Sequence, residues 1–397
     1  MTKGLVSSLL LTLGLALGGS PTHADELKQE TGRLSDLIAR LASREYVLGE
    51  PERDDRPYVD PAEVLNAFRH VASAMAWGDV HAAARQAAKL DYEVVEFKDE
   101  RTKKPYFVLR ENLEVVETIR GWGSYIINPH SKVDALVEAP HPFADAYTPE
   151  IGGRVFAECE AKGFLLAGAH RAKADVPDLV DSVFHQVHTA WIGPSGRVSA
   201  WQIHGFSSTK HAFPRGAQVV TSTGGGDIVP VVAALDSVME ERGLTSYVFN
   251  ELPAEADENR ELNGDVPGVT FTSLAAAKNE QGRLSRSLGG SFVHVELDAD
   301  VRADGVRRKL AGSAIAAVIH GAAKPPATAD LRQVATDEVQ LQRAGSSPIP
   351  AKLVATAEVE AVKIAAEELA SSKSREEDGQ IRVAAKPVRE ELKTLAP

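Results

Sequence analysis

Two histidines and a carboxylate stand where short apolar runs stop. The run Val133–Val137 leads into His141-Pro142-Phe143-Ala144-Asp145, and the run Ala200–Ile203 leads into His204-Gly205. A histidine and an acid four residues apart, just past a strand end, can converge on one divalent ion. Hydrolytic zinc sites use three protein ligands from His, Asp or Glu and keep one position open for water. His141, Asp145 and His204 supply such a set, with His170 in reserve for Asp145, since an aspartate ahead of a helix can also act as its cap. Glu296, in Val293-His294-Val295-Glu296-Leu297, shares a strand face with His294 by period two and is the candidate proton acceptor. Arg171 is the candidate cation for a developing oxyanion, and Arg283, with Asn279 in the same loop, for a substrate carboxylate.

Elements must bring these residues together. From Val133 on, strand and helix patterns alternate. Strands are expected at Val133–Glu138, Phe164–Ala169, Ser199–His204, Gln218–Thr223, Thr245–Asn250 and Ser291–Leu297. Helices are expected at Pro149–Lys162, Pro177–Trp191, Asp227–Gly243 and Asp304–His320. This predicts an α/β fold, a mixed and mostly parallel sheet with helices on both faces. In such sheets binding groups gather at strand C-terminal ends, where His141, His170, His204 and Glu296 fall. A β-hairpin is expected around Lys98–Pro105. Residues 25–90 read as a helical N-terminal region, with Asp60 capping the helix that Pro61 opens.

The remaining histidines have plainer explanations. His185 and His188 share a helix face among Val183, Phe184, Val187 and Trp191, as core or supporting residues. The glycine triplet Gly224–Gly226 precedes Asp227, which reads as a helix cap. Cys159 is the single cysteine, so no internal disulfide forms, and its pattern is that of a buried apolar residue. No Gly-x-Ser-x-Gly elbow is present for a serine hydrolase.

Composition bounds the rest. Asp and Glu number 56 against 44 Lys and Arg, a net charge of −12, which excludes a basic nucleic-acid footprint. Lys3, the apolar run Leu5–Leu17 and Thr22-His23-Ala24 resemble a secretory signal peptide, residues 1–24, cleaved near Ala24. A periplasmic or extracellular location, with no stable membrane span after cleavage, is the expectation. Residues 91–320 form the expected α/β metallohydrolase domain, and residues 321–397, without an aromatic side chain, a mobile Ala/Glu/Lys-rich tail.

The spaced His and acid, the Ile203-His204-Gly205 strand end and the late glutamate resemble a zinc carboxypeptidase-type hydrolase over Val133–Ala317. Within that group they are most similar to the N-formylglutamate amidohydrolases and poly-γ-glutamate hydrolases. The His-to-acid spacing is longer than in zinc carboxypeptidases, and the acid is Asp. The resemblance implies a mixed α/β sheet, one Zn2+ ion and cleavage of an amide bond close to a carboxylate in a small molecule or peptide. Two other readings are a binding or structural protein on the same fold without catalysis, and a metallo-phosphoesterase, which needs further carboxylate ligands.

Overall fold

The order of elements follows from where apolar side chains alternate along the chain. The computed structural model describes residues 27–210, 217–226, 228–249, 261–262, 266–267 and 274–323. The expected leader, Asp227 and the tail from residue 324 on lie outside the described residues. In chain order the elements are β1 (Lys28–Gly32), α1 (Leu34–Leu41), α2 (Ala62–Ala76), α3 (Val80–Ala87), β2 (Tyr92–Asp99), β3 (Pro105–Glu111) and β4 (Ser124–Ile127). Next come β5 (Val133–Ala139), α4 (Thr148–Cys159), β6 (Ala161–Leu166), α5 (Val183–Ile192), β7 (Ser199–Phe206), β8 (Val219–Ser222), α6 (Pro230–Glu241) and β9 (Ser246–Val248). The two-residue strands β10 (Glu261–Leu262) and β11 (Val266–Pro267) precede α7 (Glu280–Ser287), β12 (Phe292–Asp298), α8 (Ala299–Ala303) and α9 (Gly305–Ala323).

A ten-stranded sheet runs β1-β2-β3-β4-β6-β5-β7-β12-β8-β9. The central run β6-β5-β7-β12 is parallel, and β2-β3-β4-β6 are joined antiparallel. Helices cover both faces. Val137, Trp201, Ile203, Val293, Val295 and Leu297 point to one face and pack with α1, α4, α6 and α9. Leu136, Ala200 and Phe292 point to the other and pack with α2, α3 and α5. The mixed sheet with helices on both faces is the fold the pattern predicts.

Several local expectations shift. Residues 25–90 are not wholly helical, because β1 adds a parallel edge strand to β2. Leu34, Leu37, Ile38 and Leu41 of α1 lie in the same apolar cluster as β5, β7 and β12, so this region packs into the sheet's own core. Pro61, not Asp60, occupies the N-cap position of α2, and no side chain caps it. Asp60 instead accepts the Tyr58 hydroxyl. Strand β6 begins and ends three residues before the expected Phe164–Ala169. Residues expected in a loop at Asn279–Arg283 open helix α7, where the Asn279 side chain caps the Gly282 N–H. Cys159 is fully buried, and burial pushes its thiol up to about 12, leaving it inert. Among the described residues no helix is long and apolar enough to cross a membrane.

Candidate metal centre

Three adjacent strands deliver the site. On β5, β7 and β12 the residues facing α2 and α5 begin apolar (Leu136, Ala200, Phe292) and become polar toward the C-terminal ends: Glu138, then Gln202 and His204, then His294 and Glu296. Register sets the pairing, with Glu138 beside Gln202, Gln202 beside His294, and His204 beside Glu296. Period two along each strand therefore places two rows of polar side chains on a surface that is otherwise core.

His141 and Asp145 come from the turn after β5. The Asp145 N–H donates to the His141 carbonyl at 3.0 Å, and the Thr148 N–H and hydroxyl both donate to the Asp145 carbonyl. The Asp145 side chain does not cap α4, which starts after Tyr147 at φ 69 with no side-chain cap. Asp145 is turned inward instead. Its Oδ2 lies 3.0 Å from His141 Nδ1, accepts the Gly205 N–H at 3.0 Å and stands 3.7 Å from His204 Nδ1. One ligand atom from each of His141, Asp145 and His204 falls within 4.8 Å of the others, all three residues buried. His204, His294 and Glu296 form a second group sharing His204.

A metal ion fits the first group. Tetrahedral zinc with bonds of 2.0–2.2 Å holds its ligands roughly 3.3–3.6 Å apart. The separations of 3.0 and 3.7 Å bracket that spacing. The other ring nitrogens are already occupied, as ligating histidines require. His141 Nε2 is 2.7 Å from Asp175 Oδ1, and His204 Nε2 is 3.0 Å from Gln202 Oε1. Two buried polar atoms beside the group lack a partner, His294 Nδ1 and Glu296 Oε2. Orphans of this kind are costly in a closed core and suit a site that takes in a ligand.

Electrostatics divides the residues by role. Burial, joined by the Asp145 charge, pushes the Glu296 carboxyl up to about 8. Burial, with His141 nearby, pushes His294 down to about 3. Burial and the flanking rings of His294 and His141 hold His204 well below the ordinary histidine range, so it is neutral and has a lone pair to give. His141 goes the other way: burial alone would lower it, but hydrogen bonds to Asp145 and Asp175 raise it. With carboxylates at both nitrogens, a bound cation would displace the proton on Nδ1, and Asp175 would keep the one on Nε2.

Arg171 sits at the exposed edge of the group, its guanidinium 2.9 Å from Asp175 Oδ2 and near Asp145 and Glu296. His170 is not drawn into the donor set. Its Nδ1 accepts the Ala172 N–H, and its Nε2 stands 3.9 Å from Glu50. Asn279 is buried behind the site, bonded to Gln202 and to the Gly282 N–H. Arg283 pairs with Glu280 on the exposed side of α7.

Sequence reasoning passed over four residues. Glu138 and Gln202 are found by the period-two face that His204 defines. Asp175 lies 34 residues from His141 in a loop, and no spacing announces it. Arg302 is the fourth. Its guanidinium donates to the carbonyls of Leu297, Ala146 and Phe206, one from each segment that carries a site residue. Gly205 makes this possible, because a Cβ there would lie 2.4 Å from the Arg302 Cζ.

No protein-family model matches the chain, and no curated protein matches it. Solved structures similar to it include a gene product of Agrobacterium tumefaciens, at 13% identity and TM-score 0.35, over 48% of this chain and 91% of that one. A metallo-carboxypeptidase from Burkholderia cenocepacia matches at 14% identity and TM-score 0.31, over 61% of this chain and 67% of that one. A bacteriophage poly-gamma-glutamate hydrolase matches at 14% identity and TM-score 0.27, over 53% of this chain and 92% of that one.

Proposed function

We propose that this chain is an exported zinc-dependent hydrolase of amide bonds in carboxylate-bearing substrates. The observation that carries the reading is the meeting of His141 Nδ1, Asp145 Oδ2 and His204 Nδ1 beside the buried, partly unpartnered Glu296. When bound, the ion supplies Lewis-acid polarisation of the scissile carbonyl and a water of lowered pKa. The chain's own residues do the rest. Glu296 takes the proton on its free Oε2 and returns it to the leaving amine. Its burial leaves it protonated at neutral pH without metal; a cation bound beside it would lower its pKa, freeing the carboxylate to accept a proton and release it again. Arg171, half exposed at the edge of the group, faces the oxyanion or the substrate's carboxylate. Asp175 holds both Arg171 and His141 in place.

Peptidoglycan peptides, poly-γ-glutamate and N-acyl amino acids all suit this chemistry. The test is metal analysis of the purified chain together with Glu296→Gln. Zinc near one equivalent per chain is expected, with turnover of a γ-glutamyl or N-acyl substrate abolished in the variant and the metal retained. A chain without bound metal, indifferent to chelators, would overturn the reading. Cleavage of phosphoesters but not amides would turn it toward the phosphoesterase alternative.

A further inference from the structure

Behind the donor group lies a buried polar network that the proposed chemistry does not use. Glu138 and Gln202 are fully buried neighbours on β5 and β7. A carboxylate and a carboxamide placed there cost stability unless every polar atom is matched. Here they are matched. Glu138 Oε1 accepts from His188 Nδ1 at 2.6 Å, and its Oε2 accepts from Gln202 Nε2 at 2.7 Å. Gln202 Nε2 also points to Gln281 Oε1 at 3.3 Å. Gln202 Oε1 accepts from Asn279 Nδ2 at 2.6 Å and faces His204 Nε2 at 3.0 Å.

An amide can be seated either way round, and its neighbours decide which. On one side, the Glu138 carboxylate can only accept, so the Gln202 NH2 must face it. On the other, Asn279 Oδ1 is taken by the Gly282 N–H at 2.8 Å, so the NH2 of Asn279 must face Gln202. Gln202 Oε1 is thereby fixed toward His204. An acceptor at that position requires the His204 proton to be on Nε2, which leaves the lone pair on Nδ1. Nδ1 is the atom that faces Asp145 Oδ2.

We propose that Gln202, seated by Glu138 and Asn279, is a positioning residue that locks His204 in its Nε2–H tautomer and so aims the Nδ1 lone pair at the ion. The link to an ion rests on the reading of His141, Asp145 and His204 as ligands; the tautomer itself does not. Glu138 then acts on the centre from two side chains away.

The experiment is 15N–1H correlation NMR of the histidine side chains in metal-free protein, paired with zinc titration of the same samples. Metal-free wild type is expected to show His204 as the Nε2–H form alone. Gln202→Leu is expected to mix the tautomers and weaken zinc binding by about 10- to 100-fold. Glu138→Gln presents an NH2 to Gln202 from a second side, removes the reason for its orientation, and is expected to mix the tautomers as well. The double variant Glu138→Gln, Gln202→Glu keeps the polar atoms but moves the acceptor one residue along. It is expected to restore the single tautomer and the affinity, which a merely structural loss would not allow, and it decides the matter should Gln202→Leu fail to fold. An Nδ1–H ring in wild type, unchanged tautomer and affinity in Gln202→Leu, or a mixed ring in the double variant would each overturn the proposal. An Nε2–H ring in a chain that binds no zinc would leave the lock standing and sink the metal reading instead.

Discussion

His141 is held from two sides, and the two carboxylates do different work. Asp145 shares its oxygen with His204 and the Gly205 N–H, whereas Asp175 bonds the far nitrogen and also Arg171. Removing the charge of the second should spare the donors and disturb only their aim. Asp175→Asn is expected to weaken zinc binding by about tenfold, the low end for a partner behind a ligand, and to loosen Arg171. Isothermal titration with zinc measures the first effect, and a rise in KM for a carboxylate-bearing substrate the second. At this scale the sequence was most informative where a residue's role is set by its own strand. His141, His204 and Glu296 stand out because each follows or interrupts an apolar run. Asp175 stays hidden because its meaning depends on a partner 34 residues earlier, and the helical setting of Arg283 stays hidden because a charge near a strand does not reveal the element it lies on.

Two strand ends and the turn that carries His141 and Asp145 are fastened to one another by a side chain that is not part of the chemistry. Arg302 donates to Leu297, Ala146 and Phe206, and no carboxylate lies within ion-pair distance of it among the described residues. Its hydrogen bonds to carbonyls are charge-assisted and hence stronger than neutral ones. Arg302→Met is expected to cost about 2–4 kcal/mol, since it strands buried carbonyls and leaves a gap under Gly205. Urea unfolding measures it. Gly205→Ala is expected to act in the same direction by forcing the guanidinium aside, and a wild-type midpoint for both variants would count against this account. The elements themselves were largely readable from the alternation of Val, Ile and Leu in β5, β7 and β12. Edge pieces were not: β1, KQETG, carries no apolar alternation and exists because β2 offers it a ladder.

For the whole molecule, the buried groups of the centre set how stability follows pH in the metal-free state. His294 has a folded pKa of about 3 against 6.5 unfolded, so the unfolded chain holds the extra proton between these values and stability falls as pH drops through them. Glu296 has a folded pKa of about 8 against 4.5 unfolded. The folded chain then holds the extra proton, and stability falls as pH rises from 4.5 to 8. His204, also held well below the ordinary histidine range, adds to the His294 slope, so the two histidines outweigh Glu296 up to their unfolded value and thermal melts in chelator are expected to peak at about pH 6–7. Glu296→Gln should flatten the alkaline side, and a metal-free maximum at pH 8 or above would contradict the protonated Glu296. The two-faced sheet was legible in the sequence because helix and strand periods alternate cleanly from Val133 on. The packing of residues 27–90 into the same core was not, since amphipathic helices look alike whether they cover this sheet or stand apart.

Arg302 also bears on how the protein would be loaded. A site whose carrying segments are tied together by a buried cation is expected to hold its shape without an ion to assemble it. Loading then becomes a matter of diffusion and proton release rather than folding. Apo protein should keep its near-ultraviolet circular dichroism on chelation and refill within the mixing time of a stopped-flow experiment.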